Sequence, residues 1–455
     1  MNDRILLINP VNHWVFKTPF LGLASLASAL EKIGIEVKII DCQVSSNYKE
    51  IIVNLLKSYP NVGISANVAS ISSALEISKL IKQVSPATKI IMGGPQPTAI
   101  YDKLIPEYAD IVVMGEGEDT IVELLRSDNL ERIRGIAYWE NEVKVTTSRP
   151  FIADLDRLPF PAWHLVNLEK YRFANTHIPF VGMMTSRGCP YQCIYCTKFV
   201  HGTKLRLRSL DNVIREIDYL VNRFGIREIH IQDDNLLFYP ERVKELCRMI
   251  ISRNYKDLRF NLGSGVAANV GDQEMFKLLA LAGTYFVSFA IESASQDISH
   301  KIGRRIDLKL IRQKIDMAKK AGMRTRALFI LGLPFDTVAS MEESIRFARN
   351  LPVDYASFFI AIPFPGTRFY EIVEKDGKFL YDLITKSDHY TTGKAVYEMD
   401  SLKAKDVERM YKRAYRKFYW RPIQIWRYLP RKFDFTNLWG QIKYSYLLFF
   451  RFGRM

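Results

Sequence analysis

Three cysteines within eight residues, Cys189, Cys193 and Cys196, form the most chemically specific pattern in the sequence. Their CxxxCxxC spacing on one short loop allows each thiolate to bind a different iron of a 4Fe-4S cubane. The other two cysteines, Cys42 and Cys247, are distant in sequence and have no metal-like spacing. One iron would then remain open to a small molecule, as coordination positions do in catalytic metal sites.

Two other interpretations of these cysteines are a structural zinc site and cysteines without a shared role. Structural zinc usually takes four protein ligands, and the histidine nearest the loop is His201. Five cysteines, three of them clustered, are unlike a secreted disulfide framework. We therefore favour a cluster in a reducing compartment, with Cys42 and Cys247 as packed thiols.

Strand and helix patterns alternate six times from the cysteine region onward, over residues 180–377. Amphipathic helix patterns fill the intervals between the strands. Six such steps predict a partial, TIM-like (β/α)6 barrel, in which active sites lie at the carboxyl ends of the strands. The predicted strands are Phe180–Ser186, Glu228–Gln232, Arg259–Gly263, Tyr285–Ile291, Arg324–Leu331 and Tyr355–Ala361.

Residues 1–130 alternate in the same way and predict a doubly wound, Rossmann-like parallel sheet with helices on both faces. Ligands of such sheets bind at the carboxyl ends of strands, where glycine lets the backbone approach a ligand closely. Ordinary turn chemistry would use the same residue types. The predicted strands are Arg4–Asn9, Glu36–Asp41, Asn61–Ser65, Lys89–Met92 and Asp110–Met114.

Residues 131–179 are predicted to be a connector with a short hairpin, and residues 378–455 a helical, basic and aromatic tail. The net charge is +15, and Ser401–Met455 carries +11 of it, from 14 Lys or Arg and 3 Asp or Glu. Such a tail suits an anionic membrane surface, single-stranded nucleic acid, or a helical cap packed on the barrel. Of these options, we do not favour nucleic acid as a partner.

The sequence shows no secretory signal pattern and no apolar run of the roughly 20 residues needed to span a bilayer. We therefore expect a cytoplasmic protein, with peripheral contact at the inner face of the membrane as one option for the tail.

With the cysteine motif, these elements resemble the cobalamin-dependent radical S-adenosylmethionine (SAM) enzymes of the anaerobic cyclase and methyltransferase type. The resemblance covers the chain to about Gly377, and Tyr195 before the last cysteine is typical of the superfamily. It implies that SAM chelates the open iron and is cleaved reductively to a 5′-deoxyadenosyl radical. It also implies an external electron donor such as flavodoxin or ferredoxin.

The resemblance further implies a set of SAM-binding residues, each following a barrel strand or lying in a basic turn. A carboxylate suits the SAM ammonium or ribose hydroxyls, and an arginine suits the SAM carboxylate. A buried ion pair or a solvated face would also account for Glu292 and Arg305. The set is Asp233, Asp234, Asn235, Glu292, Arg305, Gly332 and Pro363. No catalytic residue is assigned beyond the cluster cysteines.

In this family the amino-terminal sheet binds cobalamin at its strand ends. Many cobalamin proteins ligate cobalt with a histidine in an Asp-x-His-x-x-Gly loop, but residues 41–46 here contain none. The family often has histidine after Gly-Gly-Pro, where this chain has Gln96. Cobalamin is therefore expected without a protein histidine ligand. The implied contacts are Ser65, Gly93, Gly94, Pro95, Gln96, Gly115, Glu116 and Gly117.

The resemblance implies methyl transfer to an unactivated carbon of a small-molecule or lipid substrate. One alternative is radical cyclisation or rearrangement, as in the anaerobic magnesium-protoporphyrin ester cyclases. Another is tRNA methylthiolation, which usually needs further cluster cysteines in the amino-terminal domain, where only Cys42 is present. A binding protein with a degenerate cluster is a third, and the intact three-cysteine motif argues against it.

Overall fold

Two main sheets, one mostly parallel and one fully parallel, are each covered by helices in the computed structural model, which describes residues 3–12, 17–171, 179–387 and 393–421. The strands in chain order are β1 (Arg4–Asn9), β2 (Glu36–Asp41), β3 (Asn61–Ser65), β4 (Lys89–Gly93), β5 (Ile111–Val113), β6 (Ile136–Glu140), β7 (Glu142–Val145), β8 (Phe180–Met183), β9 (Ser186–Arg187), β10 (Arg206–Leu207), β11 (Glu228–Ile231), β12 (Arg259–Ala267), β13 (Thr284–Glu292), β14 (Arg324–Leu331), β15 (Tyr355–Ile360), β16 (Gly377–Phe379) and β17 (Tyr397–Met399).

Helices lie between most of these strands. They are α1 (Leu21–Glu31), α2 (Tyr48–Leu55), α3 (Ile71–Val84), α4 (Pro95–Ala99), α5 (Tyr101–Leu104), α6 (Glu118–Arg126), α7 (Leu210–Phe224), α8 (Pro240–Arg253), α9 (Gln273–Leu281), α10 (Gln296–Lys301), α11 (Leu308–Lys320), α12 (Val338–Asn350), α13 (Arg368–Asp376) and α14 (Ala404–Tyr419). Helix α7 shows the local signals that bound a helix: the Ser209 hydroxyl caps its start, and Gly225 ends it with φ +62°.

The first sheet has the order β2-β1-β3-β4-β5-β6-β7, and its first five strands are parallel. The chain starts at β1, builds outward to β2, and then returns to β3 on the other side. This arrangement confirms the doubly wound prediction, and such sheets bind ligands where the strand order reverses. Strand β1 is almost fully buried from Ile5 to Ile8, as expected of a parallel strand covered on both faces.

The hairpin of β6 and β7 belongs to this first sheet, whereas the sequence analysis placed a hairpin in the connector. Strand β6 pairs antiparallel with β5 and extends the sheet beyond residue 130. Its Ile136, Ala137 and Tyr138 are buried in the sheet's core. A short strand pattern contains no information about its partner, so the sequence could not assign this pairing.

The second sheet is the predicted partial barrel, with six parallel strands in the order β15-β14-β13-β12-β11-β8. Its largest hydrophobic core lies between the strands and the surrounding helices, and includes Phe276, Phe289 and Phe329. Strand β8 ends at Met183, three residues before the predicted end. Ser186 belongs instead to β9, which pairs antiparallel with β10 after the cysteines.

The segment after Gly377, which is predicted to be mostly helical, also contains a hairpin of β16 and β17. Tyr397 in β17 is buried against the Phe369 ring and donates a hydrogen bond to the Gly332 carbonyl. Three-residue strands are too short to produce a readable periodicity, so the pattern of the sequence did not reveal them.

Helix α14 packs on the barrel as a cap, as one interpretation of the tail proposed. The hydroxyls of Tyr415 and Tyr419 donate to the β15 carbonyls of Phe358 and Ala356, at 3.2 and 2.8 Å. The remainder of the predicted tail, residues 422–455, lies outside the described residues. Among the helices that are described, none combines the length and apolar content of a membrane span.

A buried carboxylate fixes the turn after β14. Asp336 Oδ2 accepts hydrogen bonds from the Gly332 and Leu333 N–H groups, both at 3.0 Å, and Oδ1 accepts one from the Ser340 hydroxyl at 2.6 Å. Burial raises the pKa of Asp336 to about 6, although these hydrogen bonds oppose the shift. Gly332 has φ +82°, and a Cβ atom there would lie 2.7 Å from Val407 of α14.

The pKa of Asp336 predicts a pH dependence of stability. An unfolded aspartate has a pKa of about 3.9, so the folded protein binds more protons between about pH 4 and pH 6. The contribution of Asp336 to the free energy of unfolding therefore falls as pH rises through this window. Asp336→Asn keeps an acceptor for the turn. As the pH rises from 4.5 to 7.5, its free energy of unfolding should increase by about 1 to 3 kcal/mol relative to that of the wild type.

Chemical denaturation of the cluster-free protein across this pH range measures the difference. The matched control is Asp297→Asn, because Asp297 lies on the surface in an exposed pair with Lys301. A constant difference between Asp336→Asn and wild type across the range would contradict the buried-carboxylate account.

Candidate active site

The cysteine loop follows β8 at the carboxyl end of the barrel, where the sequence placed it. Cys193 is buried and Cys189 is half-buried, while Cys196 is an exposed residue whose sulfur lies near the other two. Burial of the sulfur, and then the neighbouring thiolates of Cys193 and Cys189, raise the pKa of Cys196 to about 12. The three sulfurs thus share one site in which thiolates repel one another, and a cationic iron core would relieve that repulsion.

The spacing of the loop differs from that of a single-ion site. Within the described ranges, no three His, Cys, Asp or Glu side chains are grouped closely enough to hold one metal ion. A cubane cluster needs cysteine sulfurs that are farther apart, because each thiolate binds a separate iron.

Asp233, after β11, lies beneath the start of the cysteine loop. Its carboxylate accepts hydrogen bonds from the Thr185 N–H, the Thr185 hydroxyl and the Ser186 hydroxyl, each at 2.6 Å. Burial raises the pKa of Asp233 in spite of these three donors. Both carboxylate oxygens are therefore already engaged by the segment that joins β8 to the cysteines.

Asp234 and Asn235 contact the loop closer to the first cysteine. Asp234 Oδ2 accepts from the Gly188 N–H at 2.7 Å and lies 2.9 Å from His201 Nδ1. Burial alone would raise the pKa of Asp234, but these partners lower it overall. Asn235 Nδ2 lies 3.9 Å from the Cys189 sulfur, and its Oδ1 is buried without a hydrogen-bond partner. That free acceptor suits an ammonium or hydroxyl donor of a ligand.

Glu292, at the end of β13, has a strained backbone. Its φ is +68°, a region that residues other than glycine rarely adopt, and the register with β14 shifts just before it. The side chain is buried, and burial raises the pKa of Glu292 while the nearby Arg304 guanidinium opposes the shift. Strain of this kind costs about 1 to 3 kcal/mol and concentrates at functional sites.

The arginine that faces the cysteine loop is Arg304, which the sequence analysis did not select. Its Nη1 lies 3.9 Å from the Cys193 sulfur, and its Nη2 donates to the Ala290 carbonyl at 2.8 Å. Arg305 is exposed instead, and its carbonyl accepts from Asn269 Nδ2 at 2.7 Å. The turn at Gly303 packs closely on the cysteine loop, since a Cβ on Gly303 would lie 2.3 Å from the Gln192 carbonyl.

The last two predicted SAM residues follow β14 and β15. Gly332 is held by Asp336, as described above, and Pro363 is buried after β15. A Cβ on Gly366 would lie 2.6 Å from the Phe199 ring, and the Phe199 carbonyl lies 3.5 Å from the Cβ position of Gly115. The loop after the cysteines therefore lies between the β15 loop and the edge of the first sheet.

The glycines at that edge differ in what surrounds them. A Cβ on Gly94 would lie 2.6 Å from the Ala66 carbonyl, next to Ser65, and a Cβ on Gly117 would lie 3.0 Å from Leu26 of α1. Gly93 and Gly115 would meet only ordinary contacts, at 3.6 and 3.5 Å. Gly94 and Gly117 thus permit the chain to pack on itself, whereas a Cβ on Gly93 or Gly115 would fit in ordinary van der Waals contact.

Pro95 and Gln96 begin α4, and the Gln96 side chain contacts the segment after β16. Its Nε2 donates to the Leu383 carbonyl at 3.0 Å, and the residue is 3% exposed. Gln96 therefore ties the first sheet to the segment after β16. The sequence offered no signal for this contact, because its two sides are 287 residues apart.

Glu116 reaches from the end of the first sheet toward the cysteine loop. Its carboxylate accepts from Arg187 Nη1 and Arg206 Nη1, both at 2.9 Å, and from the Ile152 N–H at 2.7 Å. Glu118 accepts from Arg187 Nη2 at 2.6 Å. We call Glu116, Glu118, Arg187 and Arg206 the interdomain ion-pair network. Glu116 had been predicted as a cobalamin contact, and the structure shows its carboxylate engaged by the barrel.

The side chains present fit the expected groups. The thiolates suit a cubane, and Asn235 Oδ1, Glu292 and Arg304 supply acceptors and a cation beside it for an amino acid moiety. The sheet edge at Gly93 and Gly115 lacks side chains, as a flat macrocycle lying across it requires. Residues 41–46 contain no histidine, so they offer no imidazole to cobalt.

Comparisons with known proteins identify the two domains. Residues 183–348 match the radical SAM superfamily, and residues 11–125 match the B12 binding domain. An uncharacterized methyltransferase of Pyrococcus horikoshii is 32% identical over 92% of this chain and 93% of its own. The anaerobic magnesium-protoporphyrin IX monomethyl ester cyclase of Cereibacter sphaeroides is 26% identical over 81% of this chain and 63% of its own.

A solved structure shares the fold. The radical SAM methyltransferase TsrM of Kitasatospora setae, solved with cobalamin and a [4Fe-4S] cluster, is 20% identical. It superposes with a TM-score of 0.69 over 82% of this chain and 78% of its own. Together with the full-length relative from Pyrococcus horikoshii, the two matched domains establish that this chain belongs to the cobalamin-dependent radical SAM enzymes, which use a 4Fe-4S cluster, SAM and cobalamin.

Proposed function

We propose that this enzyme transfers a methyl group from SAM to an unactivated carbon of a small molecule. The observation that carries the proposal is the position of the cysteine loop, which the interdomain ion-pair network holds against the glycine-bearing edge of the first sheet. When bound, the cluster supplies the electron that cleaves SAM, and cobalamin carries the methyl group. The chain's own contribution is to hold the two sites face to face.

Around the cluster, we propose Cys189, Cys193 and Cys196 as the iron ligands. Asn235 Oδ1 and the Glu292 carboxylate would accept hydrogen bonds from SAM, since both are buried polar groups next to the loop. Arg304 would pair with the SAM carboxylate, because it already lies beside Cys193. Asp233 and Asp234 would act by positioning the loop.

Methyl transfer is favoured over cyclisation by the extent of the match. The methyltransferase relative corresponds over 93% of its length, whereas this chain spans 63% of the cyclase. An external donor such as flavodoxin or ferredoxin would supply the electron.

The part of the substrate that enters the barrel is proposed to be apolar. The Phe358 ring packs on Tyr415 at the helix side of β15, with ring centroids 5.5 Å apart. Phe359 must point the opposite way, into the barrel, because side chains alternate along a strand. Its ring is 50% exposed, and the inward positions of neighbouring β14, Leu328 and Ile330, are apolar and half-buried. This wall suits a lipid or another apolar small molecule.

The cluster assignment predicts the behaviour of cysteine variants. Anaerobically reconstituted protein should bind about four irons and four sulfides. Cys193→Ala should lose the cluster and should form no 5′-deoxyadenosine from SAM and dithionite, as measured by chromatography and mass spectrometry. Cys247→Ala is the control, because Cys247 is buried in the core between α8 and the barrel. Reductive SAM cleavage by Cys193→Ala would refute the assignment.

The glycine-bearing edge of the first sheet predicts a graded effect on cobalamin. Gly93→Leu should weaken hydroxocobalamin binding at least about tenfold, because a Cβ at Gly93 fits without a clash and a larger side chain would project from the strand end where cobalamin is proposed to lie. Gly93→Ala should have a smaller effect. Variants of Gly94 and Gly117 are unsuited, because their side chains would strike Ala66 and Leu26.

Spectroscopic titration measures the affinity, and the melting temperature of each Gly93 variant shows whether the fold survives. The bound spectrum should lack a protein-histidine ligand. If folded Gly93→Leu bound hydroxocobalamin as tightly as the wild type, cobalamin would have to sit elsewhere.

For the tail, we propose contact with an anionic membrane surface on the cytoplasmic side, where an apolar substrate would be presented. Residues 422–455 contain six Lys or Arg and one acidic residue, and each basic residue near such a surface contributes about 1 kcal/mol. The full chain should float with anionic liposomes at low salt and release at 1 M salt, where the Debye length is about 3 Å.

A chain that ends at Arg421 is the matched control. Removing the whole of Ser401–Met455 would be unsuitable, because it would also remove α14, whose Phe418 and Tyr419 are buried in the barrel's core. The Arg421 chain should remain folded and should not float. Equal behaviour of the two chains, floating or not, would overturn the membrane proposal.

A further inference from the structure

The interdomain ion-pair network consists of four charged side chains that are almost removed from water. The side-chain exposures are 3% for Glu116, 7% for Glu118, 12% for Arg187 and 6% for Arg206. Two carboxylates face two guanidinium groups, so the charges balance within the network. The Ile152 N–H donates to Glu116 and the Ile152 carbonyl accepts from Arg206, which brings the connector into the same contact.

The two arginines lie opposite each other. Arg187 in β9 and Arg206 in β10 are directly paired across the two-stranded sheet. Like charges in such positions repel, so this short sheet needs the carboxylates of Glu116 and Glu118 close by. The cysteine loop is the segment between β9 and β10, and the first sheet therefore supplies the charge that closes the base of the loop.

Each end of the network is adjacent to a cofactor position. Arg187 is two residues before Cys189, and Gly188 between them is held by Asp234. Glu116 follows Gly115, a glycine with φ +80° at the end of the first sheet that faces the Phe199 carbonyl of the cysteine loop. A single side-chain contact therefore joins the residue next to the proposed corrin edge to the segment that begins the cluster loop.

Buried ion pairs contribute little net stability compared with apolar packing, but they fix geometry because a broken pair leaves an unpaired buried charge. Group transfer depends strongly on such geometry, and a misplacement of about 1 Å can cost about a hundredfold in rate. The role of the network is therefore inferred from its position in the structure and not from its contribution to stability.

We propose that the interdomain ion-pair network sets the distance between the cluster and the cobalt. Glu116, Glu118, Arg187 and Arg206 are positioning residues: they do not touch substrate, and they fix the cysteine loop relative to the corrin edge. This inference rests on the proposed cofactor positions, and it adds the element that keeps the two in register.

The test is a distance measurement on the holoenzyme. The cluster and cobalamin are both reduced to their paramagnetic forms, and pulsed EPR reports the interaction between the two spins. The wild type should give one narrow distance. Glu118→Gln keeps the shape of the side chain but removes its charge, and Arg187→Lys keeps the charge but loses the forked contact to both carboxylates. Both should broaden the distribution or shift it by about 1 Å or more, with iron and cobalamin contents unchanged.

Glu123→Gln is the matched control, because Glu123 lies on the same helix as Glu118 and pairs with Arg149, away from the cysteine loop. It should keep the wild-type distance. An unchanged distance in Glu118→Gln and Arg187→Lys would overturn the proposal. Loss of the cluster from both variants, with cobalamin retained, would also overturn it, since the network would then only hold the loop together. The measurement needs no substrate, so failure of the methyl-transfer proposal would not affect it.

Discussion

Four carboxylates, of which Asp233, Glu116 and Glu118 are buried, hold the cysteine loop in place, and the arrangement of the site depends on them. Asp233 and Asp234 accept backbone and hydroxyl hydrogen bonds from below the loop, while Glu116 and Glu118 neutralise the arginines at its base. Within the loop, Ile194 packs in a small apolar cluster with Ile302 and Phe369, and polar contacts fix the two ends of the loop. Charge-assisted hydrogen bonds can do so with directional precision, because they are shorter and stronger than neutral ones.

Two further features belong to the same end of the barrel. The strained backbone of Glu292 places a buried carboxylate beside the loop, and Arg304 lies between that carboxylate and Cys193. Neither contributes to ordinary strand packing, and the left-handed φ of Glu292 opposes it. Their cost is offset by the surrounding parallel sheet, whose inward and outward faces are otherwise regular.

Much of this arrangement could be predicted from the sequence, because it depends on local patterns. Strands such as Arg4–Asn9 and Arg324–Leu331 match the expected bounds, since apolar runs between helical patterns are readable one segment at a time. The cysteine motif likewise lies within one loop. The contacts of Glu116 and Gln96 could not be predicted, because they join residues far apart in the chain. The choice of Arg304 over Arg305 depended on the turn at Gly303, which the sequence does not specify.

The central claim, methyl transfer that requires both cofactors, is tested most directly with SAM carrying a CD3 group. The holoenzyme, an electron donor and an extract of apolar small molecules are incubated anaerobically and compared by mass spectrometry with the same reaction without cobalamin. The account predicts one product that gains an intact CD3 group, together with 5′-deoxyadenosine, only when cobalamin is present. Formation of 5′-deoxyadenosine together with a product that carries no deuterium label would contradict it.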